Sequence, residues 1–354
     1  MRVAQVAPLI EPVPPHLYGG TERVVSWLTE ELVRRGHEVT LFAAGDSRTK
    51  ASLEPIRSRS IRLDPDLPDP LAYHVLELEN VFAQAERFDV IHCHVDFLAF
   101  PFARQCRVPT IHTMHGRLDL PHWPPMIERY PGTPLVSISD SQRRPIDQLG
   151  PNWVATIHHG LPDSAIRPGT GKGEYLAFFS RLSREKRPDL AIEVAKRVGL
   201  PLKIAGKVDV LDRPYFTSEI EPLLDHPLIE YLGEMGDEKV DFLGDALCML
   251  FPIDWPEPFG LVMIEALACG TPVITRPFGS APEVIHHGRT GFIVDTVDQM
   301  AEAVRRVDRI DRKLCIETVQ ERFSAEVMCA RYESAYEDVM NGKGSRHWKA
   351  DTRS

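Results

Sequence analysis

Two rhythms of hydrophobic and polar residues alternate along this chain. Short apolar runs are followed by longer stretches that are apolar on one face only. Residues 2–7 form the first run and read as a buried strand. A loop containing Pro12, Pro14 and Pro15 follows and ends in Tyr18-Gly19-Gly20. Thr21 suits the cap of a helix reaching about Arg35, with Val24, Val25, Leu28 and Leu32 on one face and Gly36 at its end. Residues 38–43 give the next strand. Strand, Gly-containing loop, helix and strand make a βαβ unit, which implies a parallel sheet.

The alternation continues. A helix-like stretch near 70–87 precedes a strand at 89–94, and further strands fall at 110–114, 135–139 and 154–157. Asp140-Ser141-Gln142 opens a helix after the third of these. Residues 163–173, rich in Gly and Pro, read as a linker. A second half begins at Glu174, with strands expected at 175–179, 202–205, 229–232, 246–251, 271–275 and 291–294, and helices at 188–198 and 261–268. From 300 to 340 the chain reads as almost wholly helical, and the residues after Met340 as frayed. The fold class is therefore α/β, with two doubly wound, Rossmann-like domains at 1–163 and 174–323. Open sheets of this kind bind ligands beyond the carboxyl ends of their strands, so two facing sheets would hold a ligand in a cleft.

Composition narrows the class. The 354 residues suit two domains, at roughly 100–200 residues each. With 43% hydrophobic and 26% charged residues, the chain is neither disordered nor fibrous. Lys+Arg 41 against Asp+Glu 51 gives a net charge of −10, which argues against nucleic acid as a partner. Six cysteines lie scattered without a C-x-x-C pair, as reduced thiols of a cytoplasmic protein would. The first residues lack the apolar core of a secretory leader, and no run approaches the ~18–20 apolar residues that span a bilayer. Arg57, Arg59 and Arg62, with Arg143 and Arg144, read first as solvated faces. Their alternative role is peripheral contact with the inner face of a membrane.

Candidate chemistry sits where strands end. In the stretch Trp255-Pro256-Glu257-Pro258-Phe259-Gly260-Leu261, Glu257 lies in a loop, and Glu265 on the helix that follows. A helix N-terminus near 259–261 presents free N–H groups and a partial positive charge, and two flanking carboxylates accept hydrogen bonds from a polyol. In Phe179-Ser180-Arg181-Leu182-Ser183-Arg184-Glu185-Lys186-Arg187-Pro188, Arg181 and Lys186 follow a strand and precede a helix, a suitable place for cations that meet an anion. His115 ends the strand 110–114. His92 and His94 share one side of a strand and, with Asp96, form a weak metal-ligand pattern. His158, His159, His286 and His287 read as loop or hinge residues.

The stretch 256–274 carries an E-x7-E pattern, Glu257 to Glu265, followed by Ala266-Leu267-Ala268-Cys269-Gly270-Thr271-Pro272-Val273-Ile274. It resembles family 4 of the retaining glycosyltransferases, which have the two-domain GT-B fold. The resemblance covers most of 1–340, and is dense from 175 to 295 and thin between 46 and 85. It implies that Glu257 lies by the donor sugar, that Glu265 binds the nucleotide ribose, and that the amides near Phe259, Gly260 and Leu261 meet sugar hydroxyls. Arg181 and Lys186 match the cations that bind the diphosphate, although Ser180 and Arg187 replace the family's usual glycines. Gly19 and Gly20 match the turn that approaches the donor phosphates. His115 matches a histidine that reaches the reacting sugar, and Tyr231 sits on the strand whose end lines the nucleobase pocket. His159-Gly160 replaces the frequent Asn-Gly. The segments 278–285 and 288–292 match the family's closing region, with a structural or cleft role for Glu283. A helix at about 324–340 crosses back onto the first domain.

The expected function is retaining transfer of a sugar, with UDP-glucose the favoured donor, to a hydroxyl acceptor of unknown identity. No metal and no other cofactor is expected. Three alternatives stay open: a sugar phosphorylase, a nucleotide-sugar hydrolase on the same fold, or a non-catalytic nucleotide-sugar-binding protein.

Overall fold

The structure is a computed structural model, and it describes residues 1–62, 64, 67 and 71–342. The chain divides into two units, one built from Met1–His159 with the C-terminal helix Ala325–Met340, the other from Gly160–Ser324.

In the first unit, β1 (Arg2–Val6), β2 (Glu38–Phe42), β3 (Ser52–Glu54), β4 (Val90–Cys93), β5 (Thr110–Thr113), β6 (Leu135–Ser137) and β7 (Trp153–Thr156) form a parallel sheet in the order β3-β2-β1-β4-β5-β6-β7. Strand order reverses between β1 and β4, so their carboxyl ends flank a switch point, the place where open α/β sheets bind ligands. The helix Gly20–Arg34 buries Val24, Val25, Leu28 and Leu32, as its spacing predicts. Its start differs from the expectation at Thr21. The N-cap is Gly19 at φ 139°, and no side chain caps the helix. The tight Pro-rich approach sets this, because a Cβ on Gly19 would stand 2.8 Å from the Cβ of Pro15. The short strand β3 falls where the sequence carried little pattern.

The helix Ala325–Met340 completes this unit. It buries Met328, Cys329, Tyr332 and Tyr336 and packs against the helix Gly20–Arg34 and the strands β5 and β7. Glu333 anchors it, accepting from Arg35 at 2.7 Å and pairing with His37 at 2.7 Å. Residue 70, where the expected helix before β4 begins, lies outside the described residues; the helix observed there is Leu71–Ala83. Most of the tail expected to fray, 343–354, also lies outside them.

The second unit repeats the plan with β8 (Leu176–Phe179), β9 (Leu202–Ala205), β10 (Ile229–Tyr231), β11 (Cys248–Phe251), β12 (Val273–Thr275) and β13 (Gly291–Ile293), ordered β10-β9-β8-β11-β12-β13. Here the reversal falls between β8 and β11. The six cysteines are free thiols, and no helix among the described residues is long and apolar enough to cross a membrane. Arg57, Arg62 and Arg143 are engaged in ion pairs with Asp64, Glu11 and Asp147.

One core residue defies its surroundings. Glu77, on the helix Leu71–Ala83, is 1% exposed, and neither carboxyl oxygen has a hydrogen-bond partner among the described residues. Burial lifts its pKa well above the usual carboxylate range, which favours the neutral acid. A buried polar group without a partner costs about 1–3 kcal/mol. Glu77→Leu is therefore expected to raise unfolding stability by about that amount at pH 7, read as a higher urea midpoint at unchanged m-value.

Candidate active site

At the switch point of the second unit, two loops meet. The first leaves β8 through Ser180 and Arg181 into a tight turn, Arg184–Lys186. The second leaves β11 and runs to the helix Leu261–Ala268. The backbone N–H of Asp254 donates to the carbonyl of Glu185 at 2.8 Å, tying one loop to the other. Above this link Lys186 and Glu257, both buried, form an ion pair. Trp255 Nε1 donates to Glu257 Oε2 at 2.9 Å, and the Lys186 ammonium lies 4.8 Å from the Trp255 ring centre and 5.4 Å from that of Phe251. Gly279, at φ 59°, backs the pair. A Cβ there would stand 2.1 Å from the backbone nitrogen of Glu257.

Arg187 takes the left-handed conformation, φ 52° and ψ 54°, which explains why glycine is usual at that position in the family the sequence resembles. Its guanidinium offsets the strain by bonding Asp189 at 2.7 Å and Asp254 at 3.1 Å. Asp254 also accepts from Arg276 at 2.7 Å. These bonds pin both loops from outside.

The remaining predicted residues of this unit take distinct places. Arg181 donates to Glu185 at 2.6 Å and stands 3.4 Å from Asp212; its ion pairs are with these two, not with Glu257 or Glu265. Glu265 pairs with Lys239 at 2.5 Å, a partner that sequence reasoning missed. The acidic helix position 265 with a lysine 26 residues earlier gave no local signal. Gly260 caps the helix at φ 75°, and Leu261 is its first residue. Phe259 is buried, edge-on to Phe323, and its carbonyl accepts from Ser280 Oγ at 2.7 Å. The Tyr231 hydroxyl donates to the carbonyl of Gly206 at 3.0 Å. Glu283 offers its carbonyl to Arg322 at 2.8 Å, a structural contact.

At the switch point of the first unit, a recess of about 290 Å³ is lined by residues that include Thr21, His74, His94, Asp96 and His115. Gly19 and Gly20 open the neighbouring helix Gly20–Arg34. His115 Nε2 lies 2.9 Å from His94 Nδ1, and its ring stacks on that of His159, with centres 5.3 Å apart. His159 is therefore buried against the site histidine, a place its loop position did not foretell. Both ring nitrogens of His92 and of His94 are engaged in hydrogen bonds with groups of the same unit. Among the described residues no three His, Cys, Asp or Glu side chains are grouped to hold a metal ion. Asp96 has φ 49°, a strained value for a non-glycine residue, and its Oδ1 is buried without a partner among the described residues. Burial lifts its carboxyl to about 6, against the backbone N–H of His115, which favours the charged form. Glu22, in the first turn of the helix Gly20–Arg34, is likewise raised by burial to about 7.

Comparisons with known proteins identify the family and the fold. A model of the glycosyl transferases group 1 matches residues 164–319, and a model of the glycosyl transferase 4-like domain matches 19–144. Together they take in more than half of the chain, which belongs to glycosyltransferase family 4 and has the GT-B fold. Among relatives, the chain is 24% identical to the N-acetyl-alpha-D-glucosaminyl L-malate synthase of Bacillus anthracis, over 92% of this chain and 96% of that protein. It is 28% identical to a glycogen synthase of Mycobacterium tuberculosis, over 83% of each. Among solved structures, sucrose-phosphate synthase from Thermosynechococcus elongatus aligns with a TM-score of 0.80 at 18% identity, covering 97% of this chain and 100% of that one. The HepE protein of Anabaena, solved with UDP and glucose, aligns with a TM-score of 0.74 at 15% identity, covering 96% and 100%.

The buried imidazoles set a pH dependence. Burial pushes His112 and His115 down to about 3, and His92, His94 and His159 well below the usual value. In the unfolded chain each titrates near 6.5. Below that pH the unfolded state binds more protons, so stability is lost as pH falls. Glu22, Glu77, Asp96 and Asp212, raised by burial, work in the opposite direction but are fewer than the five imidazoles. Melting temperature is expected to hold from pH 8 to 7 and to drop from 6.5 to 5. In His112→Leu that drop should be shallower.

Proposed function

We propose that this glycosyltransferase moves a hexosyl group, with retention at the anomeric carbon, from a nucleotide diphosphate sugar to a hydroxyl acceptor, without a metal ion. The observation that carries this reading is the buried Lys186–Glu257 pair at a strand-end switch point, beside the glycine-capped helix Leu261–Ala268. As the glycosidic bond breaks, negative charge collects on the departing diphosphate. Lys186, with Arg181 on the same loop, supplies fixed positive charge to receive it. Loss of one such contact typically costs a few kcal/mol of barrier. Glu257 accepts from the donor-sugar hydroxyls, Glu265 from the ribose, and the amides of Phe259, Gly260 and Leu261 donate to the sugar. Tyr231 lies at the nucleobase end. Gly19 and Gly20 allow close approach to the phosphates, and His115 meets the reacting sugar.

UDP-glucose is the favoured donor; the structural neighbour HepE, solved with UDP and with UDP-glucose, supports this reading. The acceptor side is assigned to the first unit, where the unpaired Asp96 oxygen offers an acceptor for an incoming hydroxyl. The protein is placed in the cytoplasm, with peripheral membrane contact to be tested by liposome co-sedimentation at low and high salt.

A panel of nucleotide sugars tests the reading, with released nucleotide diphosphate measured in the presence of EDTA and product configuration read by NMR. Turnover of a nucleotide sugar with an α-linked product from an α-linked donor is expected; inversion, or absence of transfer with every donor, overturns it. A variant pair separates charge stabilisation from folding. Lys186→Ala should lower turnover about 10²–10³-fold. It should also lower the melting temperature, since it leaves Glu257 buried and unpaired. Adding Glu257→Gln should recover much of the melting temperature and none of the turnover.

A further inference from the structure

His115 does not stand alone. A line of buried side chains runs behind it, and each hydrogen bond constrains the next. Gln5, on β1, presents its amide oxygen 2.8 Å from His94 Nε2. A carboxamide oxygen can only accept, so His94 Nε2 carries the hydrogen. The amide's other end fits: Gln5 Nε2 donates to the hydroxyl of Tyr336 at 3.0 Å. That hydroxyl lies 2.8 Å from His92 Nδ1, and His92 Nε2 lies 2.7 Å from Thr113 Oγ1. The Thr113 hydroxyl stands 2.9 Å from that of Tyr332. Gln5, His92, His94 and Tyr336 are each at most 2% exposed, so water does not compete for these bonds.

His94, buried and neutral with its hydrogen on Nε2, has a bare Nδ1. His115 Nε2 lies 2.9 Å from it and must therefore be the donor. A neutral His115 that donates through Nε2 keeps a lone pair on Nδ1, for which no partner is found among the described residues. Two tyrosines of the C-terminal helix thus bear on a histidine more than 200 positions earlier.

We propose that Gln5 and His94 are positioning residues that hold His115 as its Nε2–H tautomer, so that its Nδ1 serves as a hydrogen-bond acceptor at the recess. What that nitrogen accepts from, a hydroxyl of the reacting sugar, rests on the proposed function; the tautomer does not. The sugar would meet an acceptor there, and an Nδ1–H histidine would instead present a donor.

The test is long-range proton–nitrogen NMR on the full chain with ¹⁵N-labelled histidine, His115 being assigned by its loss in His115→Gln. In the wild type, Nδ1 of His115 should appear in the unprotonated range and Nε2 in the protonated one. The reverse pattern overturns the proposal with no variant needed. Gln5→Met, which keeps the volume and removes both polar ends, should convert His115 to a mixture of tautomers. It should also lower kcat at least tenfold while KM for the donor moves less than twofold. An unchanged spectrum with unchanged kcat in a folded Gln5→Met protein also overturns it. If no nucleotide sugar is turned over, the proposed function fails, and the tautomer assignment still stands or falls on the wild-type spectrum.

Discussion

An ammonium and a carboxylate taken out of water hold each other in place only while both remain, and neither gains the fold much stability. The desolvation of each ion amounts to several kcal/mol, and a well-packed apolar pair would often serve the fold as well. The Lys186–Glu257 pair is nonetheless surrounded by devices that keep it. Trp255 supplies a donor and an aromatic face, Gly279 gives the backbone room, and the Asp254–Glu185 backbone bond locks the two loops together. A strained Arg187, tied to Asp189 and Asp254, braces them from the outside. Charge fixed in this way is what a site needs when charge must be received without reorganisation.

The first unit solves the opposite problem. Its switch point is lined by imidazoles that burial keeps neutral, joined through a carboxamide and two phenols rather than through ions. Buried hydrogen-bond networks of this kind favour a single arrangement, because water does not compete for their donors and acceptors. One unit thus offers fixed charge and the other fixed hydrogen-bond direction.

The alternation of apolar runs and one-sided helices made both sheets legible, since buried parallel strands and amphipathic helices have different periods. Arg181, Lys186, Glu257 and Glu265 stood out as candidates because they fall on the loops and the helix that follow strand ends, in motifs of fixed spacing. What stayed hidden had no local signature. β3 is three residues long, and Lys239 reaches Glu265 only through the fold. Gln5 sits in an apolar strand where it reads as an interruption, and Tyr336 lies over three hundred residues away from it. The buried state of His159 and the backbone strain at Asp96 depend on tertiary packing that no short window contains. The glycine cap at Gly19 overrode Thr21 because the chain approaches too tightly for a side chain.

The helix Ala325–Met340 belongs to the unit whose other residues end at His159. On the ribosome, the surface it covers must wait until all of the second unit has been translated, roughly ten to thirty seconds at ordinary elongation rates. During that interval the emerging amino-terminal half lacks its closing element, and Gln5 and His92 lack the hydroxyl of Tyr336. Biogenesis of the earlier-made half is thereby placed under the control of the last-made segment.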